Sequence, residues 1–548
     1  MNHSASGHIA FDGTRTPLKT ALFLLVCTAW LLPGLVGHDP WKVDEAVAFG
    51  VVTEILRSND WIAFRVAGEP FVDKAPLFYW VSALFAKAFG GLLALHDAAR
   101  LAAGFFMAAT LAFVALACHE LLGERAVRLG VLLLIGCLGL LIRAHEMTTD
   151  LAGLAGIALA LYGLALSARR HLAGGAALGA GMGVAFLGDG FLPLGMLAAL
   201  LALLPLAGAS WRGREYAATV GIALLVALPL LASWPALLYF HAPQSLLAWF
   251  DPATALRWRD SGADGWEPFY FVKAVPWYAW PAWPLAAWTV WRARRSLRQR
   301  RDVQLCLAAF VAFFVVVSAF GETREVNAMP MLLPLAILGV AEIETLPRGA
   351  ASALDWFGVT TFFLFAALVW VGWAAALTGK PVFAHAWLQK EVPGFTYPFS
   401  FVPFALAALL TLIWLVVVAR SLRSSRRAVV NWAAGITMVW MLVMTLGVPL
   451  VDQARSYRDV AGRIAAALPK DTVCVARRNV GDAQRASLDY FIGLRTVREE
   501  FPQSRRCKSL LVQASPDRLP LPEVEWAEAW RGSRAGDRHE LFILYRRR

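Results

Sequence analysis

Residues 43–80 read VDEAVAFGVVTEILRSNDWIAFRVAGEPFVDKAPLFYW and lie between the first long apolar run, about 19–36, and a body that stays apolar almost to Leu450. The stretch gathers carboxylates (Asp44, Glu45, Asp73), cations (Arg57, Arg65, Lys74) and aromatic rings (Phe49, Trp61, Phe78, Tyr79, Trp80), with Trp41 just ahead of it. Charges and rings concentrated where an apolar run ends belong at a membrane–water boundary. The fold therefore turns on whether the flanking runs cross a bilayer.

Composition says that they do. Of the 548 residues, 58% are hydrophobic and only 16% charged, the balance of a multispanning membrane protein and not of a string of soluble domains. The formal net charge of +12 looks at first like affinity for nucleic acid. Many of the cations, however, fall in short tracts between apolar runs, such as 291–295 and 420–427, which is the pattern of the positive-inside rule. No nucleic-acid partner is expected, and the lipid bilayer is.

The run at about 19–36 is long enough to cross as a helix, and no A-x-A-like cleavage site follows it, so it reads as a first span and not as a signal peptide. Further spans are expected near 99–119, 127–141, 151–167, 172–187, 191–208, 217–239, 275–290, 303–320, 329–340, 353–378, 399–418 and 429–446, about thirteen in all. Residues 75–90, interrupted by Lys87, are expected to lie in the interface. With the amino end inside, every inner loop is then basic (169–170, 211–214, 292–301, 347–348, 420–427), and the longer outer loops are 43–80, 240–274, 321–328 and 379–398.

After Pro449 the composition changes. Residues 452–468 read as an amphipathic helix and 472–476, 509–513 and 541–545 as short strands. The expected organisation is an all-α polytopic membrane domain over 1–450, with a first outer loop at 38–98, and a small soluble α/β domain over 451–548 on the outer, periplasmic side. Cys27, Cys118, Cys137 and Cys306 lie inside apolar runs and read as packing residues. Cys474 and Cys507 lie in the polar tail, where an oxidising compartment would let them pair and a reducing one would leave two thiols.

Transfer of a sugar from a polyprenyl phosphate needs a carboxylate for the acceptor's proton and cations for the departing phosphate. Asp44 and Lys74 supply those types. The plainer readings are a helix N-cap with a first-turn carboxylate for Asp44 and Glu45, and a snorkelling interfacial lysine for Lys74.

Asp44-Glu45 followed by a helix, then S-x-D-W at 58–61, G-E-P-F at 68–71 and D-K-x-P-L-F-Y-W at 73–80, resembles the bacterial aminoarabinose transferases that modify lipid A. It is also similar to the wider protein mannosyltransferase superfamily with the GT-C fold. The resemblance continues through 143–150 and Thr323-Arg324-Glu325, and so spans most of the membrane region, although only the first-loop motif is specific. It implies an inner-membrane, inverting glycosyltransferase that uses an undecaprenyl-phosphate-linked sugar as donor and a lipid or glycan as acceptor. Carried over by position, Asp44 matches the proposed catalytic carboxylate, Lys74 the lysine that meets the lipid phosphate, and Asp150 the second outer-loop acid.

Around those three, Glu45 is a further catalytic candidate. Arg65, Arg257 and Arg324 are candidates for the donor phosphate, and Asp73, Tyr79, Trp80 and Glu325 for the substrate cavity. The chain also departs from the resemblance: Asp73 stands for Glu, Val47 for an Arg, Ala75 for the first Pro of K-P-P, Asp189 for the basic residue of a T-K-G or T-R-G turn, and Asn327 for a Tyr. These departures bear on sugar and acceptor choice, and on activity itself.

His145, Glu146 and Asp150 fall close together, but their spacing matches no strong metal signature. Relatives tend to carry a His just before a P-F pair, where Gly265 and Trp266 stand here. No metal site and no cofactor are assigned, and a divalent ion stays an open alternative without a motif behind it. The aromatic stretch 277–283 reads as an interfacial belt, or more sharply as a sugar platform. The rival readings are protein O-mannosylation, a flippase or transporter for a lipid-linked sugar, and an inactive scaffold. Paired discontinuous helices with repeat symmetry would favour the transporter, and the sequence has none.

Overall fold

A computed structural model describes residues 17–250, 267, 269–421, 424–470, 472–516 and 525–548. At 1.5 Å per residue a helix needs about 20 apolar residues to cross the hydrocarbon core. Among the described residues seven helical stretches meet that length and composition: Leu95–Leu122, His171–Asp189, Arg214–His241, Arg301–Phe320, Arg348–Thr378, Phe401–Arg420 and the longer Arg427–Ala467. Shorter apolar helices, Pro17–Leu31, Leu77–Phe89, Asp150–Leu166, Phe191–Ala207 and Glu325–Ala341, pack among them.

Two expected spans take a different form. The one expected at 275–290 is divided into helices Tyr270–Tyr278 and Ala282–Ala293. Pro281 has no N–H and cannot continue the ladder. The carbonyls freed at the break are taken by another loop: Leu138 N–H donates to Trp280 O at 3.1 Å and Gly139 N–H to Tyr278 O at 2.9 Å. A Cβ at Gly139 would lie 2.2 Å from the Tyr278 ring, so this approach requires glycine. The span expected at 127–141 likewise stops at Ile135, with one further turn at Leu140–Arg143.

Helices Asp150–Leu166 and His171–Asp189 form a tight antiparallel pair. Glycines on both allow the backbones to touch: a Cβ on Gly156 would meet Ala185 N at 2.2 Å, and one on Gly188 would meet Gly153 N at 2.4 Å. Because the pair is antiparallel, the first residue of one helix and the last of the other, Asp150 and Asp189, come to the same end. At the opposite end the basic connections gather and are tied down. Arg300 pairs with Glu342 at 2.8 Å and Arg427 with Asp355 at 3.0 Å, and the Arg301 guanidinium lies 4.0 Å over the Trp211 ring.

The C-terminal part is a five-stranded sheet in the order Thr496–Arg498, Val475–Arg478, Ser509–Ala514, Leu541–Arg547, Trp526–Gly532. The first three strands run parallel, and the last two join antiparallel. Two of the five, 496–498 and 526–532, carry no alternating apolar signal and were not expected. The single helix expected at 452–468 is two, Val448–Arg455 and Arg458–Ala467, broken at Ser456, whose hydroxyl accepts the Arg458 N–H at 3.0 Å. A disulfide joins Cys474 to Cys507.

The sheet domain sits on the 43–80 stretch. Arg57 donates to Asp489 at 2.6 Å, Arg477 and Arg485 reach Glu69 at 2.6 and 2.9 Å, and Arg495 bonds Glu54. Gly50 lets the Asp44–Ser58 helix come up against the Ala486 methyl.

Candidate active site

At the end of the bundle opposite the basic connections lies a cavity of about 2040 Å³. Asp44 enters it from the first turn of helix Asp44–Ser58, Lys74 from the turn before helix Leu77–Phe89, Arg143 from the short 140–143 helix, and Asp150 and Asp189 from the glycine-packed pair. Arg324 comes from the loop after helix Arg301–Phe320. The wall is completed by Asp73, Tyr79, Tyr278 and Glu325, and from the C-terminal part by Arg455, Arg498 and Arg534.

Two charge clusters lie within it, and Arg324 acts on both, on Asp44 directly and on Asp150 through its charge. In the first, Arg324 donates through Nη2 to Oδ2 of Asp44 at 2.6 Å, and Arg143 approaches the same oxygen with Nη1 at 3.5 Å. Arg143 also donates to Glu146 Oε2 at 2.8 Å. Burial pushes the Glu146 carboxyl up to about 7, against the pull of Arg143 and with the help of the nearby Glu45 and Asp44 carboxylates. In the second cluster, Lys74 Nζ donates to Asp189 Oδ1 at 3.1 Å, and the Thr149 hydroxyl lies 3.4 Å from the same oxygen. Asp150 accepts a hydrogen bond from Thr148. Burial works against the Lys74 ammonium, but Asp189 and Asp150 override it and hold its pKa well above that of an ordinary lysine.

Of the residues singled out in the sequence, Asp44, Asp73, Lys74, Tyr79, Asp150, Arg324 and Glu325 share this cavity. Three do not. Glu45 faces the core, where Arg100 Nε donates to its Oε1 at 2.9 Å, and the N–H groups of Trp41 and Met147 donate at 3.0 and 3.1 Å. A step of one residue turns a helix by about 100°, which takes Glu45 off the face that carries Asp44. Arg65 is exposed on a two-residue strand and donates to Gly68 O at 3.4 Å. Trp80 is drawn away by its own N–H, which donates to Trp61 O at 2.7 Å, and by Trp234, whose ring centroid is 5.7 Å away. Arg257 lies outside the described residues.

Arg324 pairs with Asp44 and, at 3.7 Å, with Glu322, in place of the adjacent Glu325. His145 is buried, its two ring nitrogens 2.7 and 2.8 Å from the carbonyls of Leu141 and Trp30. Among the described residues no group of three His, Cys, Asp or Glu is placed to hold a metal ion. The aromatic stretch divides: Trp277 and Tyr278 line the cavity, whereas Trp280 packs on Phe357 and Trp432.

The sequence reading passed over Asp189 as a partner for Lys74 and over the C-terminal arginines altogether. Asp189 had a signal, since the glycine spacing of 174–190 marks a closely packed helix whose end must return to the level of Asp150. For Arg455, Arg498 and Arg534 no local pattern distinguishes them from solvated arginines.

Residues 73–234 match a family model described as dolichyl-phosphate-mannose-protein mannosyltransferase. Over 465 residues the chain is 26% identical to the undecaprenyl phosphate-α-4-amino-4-deoxy-L-arabinose arabinosyl transferase of Edwardsiella ictaluri, covering 82% of this chain and 79% of that relative. It superposes on the crystal structure of ArnT from Cupriavidus metallidurans bound to undecaprenyl phosphate with a TM-score of 0.69 at 17% identity, covering 96% of this chain and 98% of that one. The apo state of the same protein gives 0.65 at 18% identity, with the same coverage. This is the GT-C fold. The family-model match begins at Asp73 and takes in Lys74, Arg143, Asp150 and Asp189, and Asp44 lies ahead of it.

Proposed function

We propose that this chain is an integral-membrane glycosyltransferase that moves a sugar from an undecaprenyl-phosphate donor to lipid A or another envelope acceptor at the periplasmic face of the bacterial inner membrane. The observation that carries the reading is that Asp44 and Lys74 line one cavity while each is held by a partner of its own. A pocket for a single small ligand measures about 300–1,000 Å³. A cavity of about 2040 Å³ has room for a donor head group and an acceptor head group together.

In the reaction the bond between the anomeric carbon and the donor phosphate oxygen breaks, and the acceptor oxygen bonds that carbon from the opposite face, inverting it. The lipid leaves as a phosphate monoester, its developing charge met by Lys74. A hydroxyl acceptor gives its proton to Asp44. A fully ionised phosphate acceptor has no proton to give, and Asp44 is then needed only for positioning. Both guanidinium contacts to Asp44 fall on Oδ2, which leaves Oδ1 for the acceptor.

The same reading takes residues 1–450 as the catalytic membrane domain, with about thirteen spans, the amino end in the cytoplasm and a first periplasmic loop at 38–98. Residues 451–548 are then a periplasmic domain, a placement supported by the disulfide. The family-model match over 73–234 supports a second acceptor class, a protein hydroxyl, in which case Asp44 must act as base.

The test supplies membranes or purified protein with radiolabelled undecaprenyl-phosphate sugars, comparing wild type with Asp44→Asn and Lys74→Ala. Transfer should be lost in Lys74→Ala, and in Asp44→Asn it should be lost to a hydroxyl acceptor and fall less to a phosphate acceptor. Transfer that survives both substitutions would rule out the assigned roles, and lipid movement without transfer would identify a flippase. Lipid A mass spectra from cells with and without the gene would identify the acceptor.

A further inference from the structure

Lys74, the cation assigned to the leaving phosphate, already has a partner. Its Nζ donates to Asp189 at 3.1 Å, and the two side chains are 34% and 11% exposed, so the lysine is the more open member of the pair. Asp189 is fixed from behind by the Thr149 hydroxyl and by the close packing of the helix that ends at it. Asp150 stands on the same wall. Lys74, Asp189 and Asp150, counted with the Arg324–Asp44 pair that reaches Asp150 by its charge, give this part of the cavity a formal charge of −1 before any substrate arrives, and Asp73 on the same wall adds to it. A lipid phosphate that accepts from another of the three Lys74 Nζ–H donors lies beside the Asp189 charge.

The cost differs between the two lipids of the reaction. The sugar donor is a phosphodiester with one negative charge, whereas the product is a monoester whose second ionisation lies near neutral pH. Repulsion scales with charge, so Asp189 weakens the hold on the product more than the hold on the donor. We propose that Asp189 is a positioning residue that shares Lys74 with the lipid phosphate, discriminates against the lipid monophosphate by its charge and thereby favours its release. This inference rests on Lys74 being the phosphate-binding group.

The experiment measures binding of a short-chain polyprenyl monophosphate and of its methyl diester to the full-length protein in nanodiscs, together with donor KM and kcat. Wild type should hold the monophosphate no more tightly than the diester. Asp189→Asn should bind the monophosphate about tenfold more tightly and the singly charged diester only about threefold more tightly. kcat and donor KM should fall together, with kcat/KM changing by no more than about threefold, as product release becomes limiting, and Asp189→Glu should restore the wild-type values.

A wild type that already prefers the monophosphate by about tenfold overturns the inference without any variant. So does Asp189→Asn binding that equals wild type while Lys74→Ala weakens both ligands, an outcome that leaves the role of Lys74 standing. Unchanged binding in Lys74→Ala overturns the Lys74 assignment and this inference with it.

Discussion

Asp44 and Glu45 are joined by one peptide bond, and each is held by arginine, yet their surroundings are opposite. The Asp44 side chain is 29% exposed to the cavity and shares one oxygen between Arg324 and Arg143. Glu45 is 2% exposed and meets an Arg100 that is wholly buried. Every nitrogen of that guanidinium is engaged: Nε by Glu45, Nη1 by Asp97 and Leu35 O, and Nη2 by His38 O and Asp39 O. Ion pairs of the same chemistry therefore do different things. A dry pair with all its donors used holds the 38–45 turn against helix Leu95–Leu122, whereas a wet pair with an oxygen to spare can exchange partners with a substrate.

The contrast can be broken most directly at the dry site. Glu45→Ala strips the buried Arg100 of one of its two carboxylates, leaving Asp97, and should cost about 3 kcal/mol, seen as a large fall in the melting temperature of detergent-purified protein. Equal loss from Asp44→Asn would erase the distinction. Asp44→Asn is instead expected to change stability by no more than about 0.5 kcal/mol, while transfer to a hydroxyl acceptor falls about 100-fold or more. A much smaller fall would sharpen the picture by pointing to a phosphate acceptor. Arg324→Gln, which releases Asp44 from its shorter contact, should lower turnover about tenfold, and Arg143→Gln, at the longer contact, by less.

The smallest effect is expected at Glu146, between the two sites. Its carboxyl is raised to about 7 in the folded chain. The native state thus binds the proton more tightly than the unfolded state does. The stability gained from this is complete below about 4.5, the unfolded value, and is lost as pH rises through 7. Melting temperature measured from pH 5 to 8 should fall more steeply for wild type than for Glu146→Gln, and equal slopes would refute the raised pKa.

Much of the architecture was legible because the energy of burying a residue in lipid is local to the chain. Apolar runs of sufficient length, separated by basic tracts, imply helices whatever else the chain does. The motif running from Asp44 to Trp80 led, by its resemblance to a known family, to Asp44 and Lys74. The misreadings have one cause, which is that each depends on what lies beside a residue in space. Trp80 and Arg65 are residue types suited to a sugar or a phosphate, and neighbours at Trp61, Trp234 and Gly68 take them elsewhere. The span at 275–290 was apolar enough, and the cost of Pro281 showed only once residues 138–139 were seen to take the freed carbonyls.

Hydropathy, charge placement and one short motif were thus enough to settle that the chain is a helical membrane protein and that an acid and a lysine flank its first long loop. Tertiary structure alone decided which acid faces the cavity and what each charge is paired with. Arg324 reaches Asp44 across 280 positions of sequence and Asp189 reaches Lys74 across 115. Hydrophobic burial is summed residue by residue along the chain, whereas an electrostatic partner is a distance of 3 Å or so that exists only when separate helices have packed.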